Sequence, residues 1–344
     1  MNAALEQDLM ISDLDQALTE ANLAPLRPYL DDPEVFEVRV NKFGQVVCDT
    51  VKGRRIHDDP RISEDYLSSL TDFLLHLNEL PRAPISYVKM PDGARGTFCW
   101  PPAVEAGTML MTIRKHLPVQ KSLAELDSEG RFAKARHRRQ SQQMMLEPFE
   151  ERLLELLEKG DIQGFLRLAV QTKRNIAIAG PTGSGKSTLT WSLLGEVHPT
   201  ERVLLLADVH EIKETHLNET GFLLYGDKEG RLSASECLKL GMRLSPDRIL
   251  LTELRDDAAW DYLAGANTGH PGGIFSIHAN SAASTAARIA TLVKGSEVGR
   301  LLDYEVIMRT INATLDVVVY MEKRDVLEIL YDPLFKKQQM MMTA

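Results

Sequence analysis

The stretch "GPTGSGKST", residues 180–188, lies between the short apolar run "NIAIA" and the helically spaced "LTWSLLGEV". Gly180, Gly185, Lys186 and Ser187 satisfy G-x-x-x-x-G-K-[ST], in which glycines let backbone N–H groups curl around an anion with no Cβ in the way. The amides of the loop and the N-terminus of the next helix present partial positive charge to a phosphate. The Lys186 ammonium reaches β- and γ-oxygens, and the Ser187 hydroxyl suits one coordination position of Mg²⁺. We therefore assign ATP binding to Gly180, Thr182, Gly183, Ser184, Gly185, Lys186, Ser187 and Thr188, with Mg²⁺ as cofactor.

Outward from the cradle, residues 151–344 alternate helical patterns with the apolar runs "NIAIAG", "RVLLLAD", "RILLTEL", "GGIFSIHA" and "TLDVVVYME". That alternation predicts an α/β domain with a mostly parallel sheet covered by helices. In such sheets ligands gather at the carboxyl ends of the strands. "LLLAD" delivers Asp208 there, with Glu211 three residues on, "ILLTE" delivers Glu253, and "FSIH" delivers His278. Phosphoryl transfer requires positioning and charge neutralisation more than covalent chemistry. Glu253 is the candidate for orienting the attacking water and, with Ser187, for holding the metal. Asp208 and Glu211 are candidates for holding the metal's waters or sharing the base role. His278 is suited to contact the γ-phosphate.

Residues 1–116 read differently, with alternating runs "VFEVRVN" and "TMLMTIRK", a "PDG" turn and the helical "LSSLTDFLLHLNEL". This predicts a smaller α+β module. Residues 117–150 are charged and Gln-rich, with "SLAEL" as their one apolar pattern, and read as a linker containing some helix. The chain of 344 residues, 44% hydrophobic and 26% charged, is expected to be globular with two domains. Its three cysteines, Cys48, Cys99 and Cys237, are widely separated, which fits a reducing cytosol. The start "MNAALEQDLMISDL" has neither the basic residues nor the apolar core of a signal peptide. A net charge of −9 argues against a surface built to neutralise a nucleic-acid backbone, so no specific nucleic-acid binding is expected. The basic stretch "KARHRRQ", 134–140, reads as a solvated face and leaves a peripheral membrane contact open.

The succession "GPTGSGKST", "DVHE", "RLSPDRILLTELR" and "TGHPGGIFSIHAN" resembles the secretion ATPase superfamily, whose members carry a Walker A loop, an Asp box, a Walker B segment and a His box in this order. Within it the chain most resembles the traffic ATPases of type IV secretion systems, through "PYLDDPEVFEVRVN", "PDGARGTFCWPP", "MTIRK" and "RDDAAWDYL". The resemblance implies a RecA-like ATPase domain behind the N-terminal domain. It also implies a homo-hexameric ring, peripheral at the cytoplasmic face of the inner membrane, that works with inner-membrane components of the secretion machinery in pilus biogenesis and substrate transfer. It implies further that Arg95 and Arg114 reach the nucleotide from the N-terminal domain. A type II secretion or type IV pilus motor is the alternative, though the four-cysteine zinc insertion common among assembly motors is missing. A DNA translocase is a more distant one. Two positions depart from the family pattern: Ala207 stands where an acidic residue commonly precedes Asp208, and Thr252 stands where glycine usually precedes Glu253.

Overall fold

A computed structural model describes residues 16–115, 121–137, 144–209, 211, 215–255, 258–266 and 269–342. The chain divides into two compact units, Met1–Gln120 and Lys121–Ala344.

In the first unit, β1 (Val35–Val40), β2 (Gln45–Thr50), β3 (Gly53–Asp58), β4 (Ile85–Lys89), β5 (Arg95–Cys99) and β6 (Leu110–Arg114) form a six-stranded sheet in the order β3-β2-β1-β6-β5-β4. Every pairing is antiparallel. The helix Glu64–Leu77 starts where the Ser63 side chain accepts from the Tyr66 N–H, and acidic Glu64 and Asp65 sit in its first turn. It buries Leu67, Leu70, Leu74 and Leu75 in one cluster with Val38, Val40, Phe98, Met111 and Ile113.

Alternation in "VFEVRV" would leave Glu37 and Arg39 in water, yet they are 1% and 0% exposed. Cross-strand pairing explains how the sheet tolerates them. Arg39 Nη1 lies 2.6 Å from Glu37 Oε1, and Arg39 also grips Asp49 with both terminal nitrogens, at 2.5 and 2.9 Å. Arg54 Nε adds a bond of 2.9 Å to Asp49, and Arg114 Nε lies 3.3 Å from Glu37 Oε2. The result is an alternating series, Arg114, Glu37, Arg39, Asp49, Arg54, across β6, β1, β2 and β3.

In the second unit, β7 (Ile176–Ala179), β8 (Arg202–Ala207), β9 (Glu219–Leu224), β10 (Arg248–Leu251), β11 (Ile274–Ile277), β12 (Val317–Glu322) and β13 (Asp325–Leu330) form a seven-stranded sheet ordered β13-β12-β7-β11-β10-β8-β9. All pairings are parallel except β12 with β13. β7, β8, β10 and β11 are buried along their whole length, as expected of parallel strands covered on both faces. Five of these strands coincide with the apolar runs of the sequence; the edge strands β9 and β13 do not. In the charged segment that follows the first sheet in the sequence, the helix Leu123–Ser128 opens with a Ser122/Glu125 capping box. Of "KARHRRQ", residues 138–140 lie outside the described residues.

Buried polar groups fix the amino ends of the strands. Asn175 Oδ1 accepts from the N–H groups of Gly272 and Gly273, each at 3.0 Å, while its Nδ2 donates to the Thr314 carbonyl at 2.9 Å. Arg248, 0% exposed, makes a two-pronged contact to Glu201 at 2.8 and 3.0 Å. No helix of the described residues is long and apolar enough to cross a membrane.

The Asp49 contacts predict an acid limb of stability. Burial alone would raise its pKa, but the hydrogen bonds from Arg39 and Arg54 hold it at about 2. A carboxyl depressed on folding stabilises fully above its unfolded pKa, near 4, and that contribution is lost as pH falls through about 2. Asp49→Asn strips a buried arginine of a partner and is expected to cost about 3 kcal/mol at neutral pH. Hydrogen exchange at the β1 amides of the full chain measures it, and the variant should show a shallower loss of protection between pH 4 and 2.

Candidate functional site

A cavity of about 860 Å³ lies at the carboxyl ends of the parallel strands. Its lining brings together Thr182, Gly183, Ser184, Gly185, Lys186, Ser187 and Thr188 with Asp208, Glu211, Glu253 and His278. Gly180 stands at the base of the loop, immediately after β7.

The cradle depends on its glycines. Gly183 and Gly185 have φ of 75° and 92°. Gly180, at φ 152°, is also hemmed in: a Cβ there would lie 2.2 Å from the Met321 carbonyl oxygen and 2.8 Å from Ser184 Oγ. Gly185 caps the helix Lys186–Leu194, so the free N–H groups of its first turn open toward the cavity. Lys186 Nζ donates to the carbonyls of Gly180 and Pro181 at 2.8 and 2.9 Å. Burial pushes its ammonium down from the usual range, and the Glu253 charge opposes that shift. Ser184 Oγ is buried and, among the described residues, has no hydrogen-bond partner.

Each strand end is held by its neighbours. The Thr252 N–H donates to the Leu206 carbonyl at 3.0 Å, Ser276 Oγ donates to the Thr252 carbonyl at 2.5 Å, and the Leu254 N–H donates to the Ser276 carbonyl at 2.9 Å. Glu253 is therefore pinned on both sides between β8 and β11. Its Oε1 lies 3.7 Å from His278 Nε2. The Thr252 side chain occupies the space beside it usefully: Oγ1 donates to the Leu206 carbonyl at 3.3 Å and lies 3.3 Å from the Tyr225 hydroxyl.

Arg255 was not among the residues expected here. Its Nη2 lies 3.0 Å from both Asp208 Oδ2 and Glu253 Oε2. Met321, Arg324 and Val326, from the β12–β13 hairpin, also line the cavity. Lys323 and Arg324 form that turn with φ of 52° and 75°. Arg95 and Arg114 lie in the first unit, on β5 and β6, in register with each other; both are exposed.

A glycine-rich phosphate loop after an inner strand of a mostly parallel sheet, with carboxylates at the ends of other parallel strands, defines a P-loop nucleoside-triphosphate hydrolase domain. Residues 141–323 match the family of type II/IV secretion system proteins. The type IV secretion system protein VirB11 of Brucella suis is 36% identical over 332 residues, covering 92% of this chain and 91% of that one. Its counterpart from Bartonella quintana is 32% identical, covering 95% and 96%. The crystal structure of the VirB11 ATPase of the Brucella suis type IV secretion system, in complex with sulphate, superposes with a TM-score of 0.89 at 34% identity, covering 96% of this chain and 99% of that one. The chain belongs to the type II/IV secretion system protein family, as a secretion ATPase of the VirB11 type.

Gly180→Ala tests the cradle. The methyl group must displace a backbone carbonyl, so the affinity for ADP, measured by titration calorimetry, should fall at least about tenfold, equivalent to about 1.4 kcal/mol. Far-ultraviolet circular dichroism should stay unchanged.

Proposed function

We propose that this chain is the cytoplasmic, homo-hexameric Mg-ATPase of a type IV secretion system, peripheral at the inner membrane. There it powers pilus biogenesis and substrate transfer together with inner-membrane components of the machinery. The observation that carries the reading is the convergence of the phosphate cradle with Asp208, Glu211, Glu253 and His278 on one cavity. The sulphate in the Brucella suis structure, an anion with the shape of phosphate, supports it.

In this reading Lys186 and the loop amides bind and orient the β- and γ-phosphates. The Ser187 hydroxyl would hold Mg²⁺ with the Glu253 carboxylate close by to share its charge, and the ion would supply charge neutralisation at the phosphates. Glu253 accepts a proton from the attacking water. The water oxygen bonds to the γ-phosphorus, the bond to the leaving oxygen breaks, and ADP and phosphate result. Asp208 and Glu211 would hold the metal's waters or share the base role, and His278 would contact the γ-phosphate. We take residues 1–116 as the N-terminal domain, 117–150 as the linker and 151–344 as the RecA-like ATPase domain.

Arg95 and Arg114 are assigned to a clamp on the γ-phosphate. Two guanidinium groups in register on neighbouring strands repel each other, and an anion between them relieves that repulsion. Glu37 tethers only one of them in the contacts described above.

Measurements on single variants and their mixtures test these assignments. Lys186→Ala should lower phosphate release by orders of magnitude, whereas Glu253→Gln should retain Mg-ATP and lose turnover. Native mass spectrometry of Glu253→Gln with Mg-ATP should show a hexamer, and a persistent monomer would overturn the ring. Arg114→Ala should bind ADP normally and hydrolyse ATP poorly. If the arginine serves the neighbouring copy, mixing Arg114→Ala with Lys186→Ala chains restores turnover, and unchanged turnover in Arg114→Ala alone removes the clamp.

A further inference from the structure

The two oxygens of Glu253 have different surroundings. Oε2 accepts from Arg255 Nη2 at 3.0 Å and from Arg255 Nε at 3.3 Å. Oε1 has no part in that grip and lies 3.7 Å from His278 Nε2. The Arg255 nitrogen nearest Glu253 also lies 3.0 Å from Asp208 Oδ2, so one guanidinium links the ends of β8 and β10. A guanidinium is planar and offers its donors in a rigid fork, which fixes both carboxylates relative to each other as an ammonium on a flexible stem does not.

Arg255 is itself seated. Its guanidinium carbon lies 6.0 Å from the centroid of the Tyr225 ring. The Tyr225 hydroxyl meets Thr252 Oγ1 at 3.3 Å, and Thr252 Oγ1 is in turn bonded to the Leu206 carbonyl of β8. The charge partners hold the guanidinium in its plane, and the ring supports it from one side.

Stability does not account for this arrangement. The side chains of Arg255, Asp208 and Glu253 are 48%, 45% and 33% exposed, and ion pairs in such settings contribute at most about 1 kcal/mol to folding. Geometry accounts for it better. An unrestrained glutamate samples many rotamers, whereas a base must stand within hydrogen-bond reach of the water it activates. We propose that Arg255 is a positioning residue of the hydrolytic centre: it grips Glu253 by Oε2 and Asp208 by the same nitrogen, and so presents Glu253 Oε1 as the oxygen that takes the water's proton. The proposal rests on Glu253 being the proton acceptor.

Steady-state ATP hydrolysis by the full chain tests it in four proteins: unaltered, Arg255→Ala, Glu253→Gln and the double variant. Arg255→Ala should lower kcat about 30-fold, within the range typical of residues that orient an active group, and change KM for Mg-ATP by less than about threefold. The double variant should be no slower than Glu253→Gln, because nothing remains to be positioned. Guanidinium chloride at millimolar concentration should recover part of the lost rate in Arg255→Ala, while sodium chloride should not and Glu253→Gln should not respond. Arg255→Lys should stay slow, since one ammonium cannot reproduce the fork. Wild-type kcat in Arg255→Ala beside an inactive Glu253→Gln would overturn the proposal and leave the role of Glu253 intact. So would multiplicative losses in the double variant, or an Arg255→Ala protein that no longer binds a non-hydrolysable ATP analogue. An active Glu253→Gln would instead remove the base assignment, and the proposal with it.

Discussion

Parallel pairing of β8, β10, β11 and β7 is the constraint on which the rest of the second unit depends. Strands that run the same way must all end at one edge, so whatever follows each of them is delivered to the same place. The phosphate loop follows β7, Asp208 follows β8, Glu253 follows β10 and His278 follows β11. No long-range recognition between these side chains is needed to assemble the cavity; backbone hydrogen bonding does it. The two edges of the sheet divide the labour. At the amino ends the polar groups are buried and paired, as in the Asn175 contacts and the Arg248–Glu201 fork. At the carboxyl ends the charges are half exposed and within reach of solvent and ligand.

The central strands were legible in the sequence because burial on both faces demands unbroken apolar runs, and "NIAIA" or "RILL" can hardly be anything else. The edge strands were not. β9 opens on Glu219, which is buried against Arg202, and β13 is exposed over most of its length, so neither shows the compositional mark of a covered strand. The residues missed at the site follow from that. Tyr225 comes directly after β9, and Arg324 belongs to the turn that leads into β13. Arg255 was missed for another reason: its meaning depends on Asp208, 47 positions earlier, which only the pairing of β8 with β10 brings alongside.

Glu37 and Arg39 failed the simple alternation for a related reason. Period-two patterning reports which face of a strand a residue occupies, not whether that face is covered. In β1 residues on both faces are buried, apolar ones on one face and, on the other, charges that neutralise one another across the sheet.

That series of charges, from Arg114 through Glu37, Arg39 and Asp49 to Arg54, also limits how the sequence can drift. Reversing the sign of Glu37 or Asp49 places like charges in contact at a buried position, and deleting either takes one counter-charge from the buried Arg39. The buried positions are therefore coupled, and a sequence that changes Arg39 must change Glu37 and Asp49 with it or leave both carboxylates short of a counter-charge. Changing Glu37, Arg39 and Asp49 together is open only if Arg114, at the exposed end, can do without the anchor that Glu37 provides.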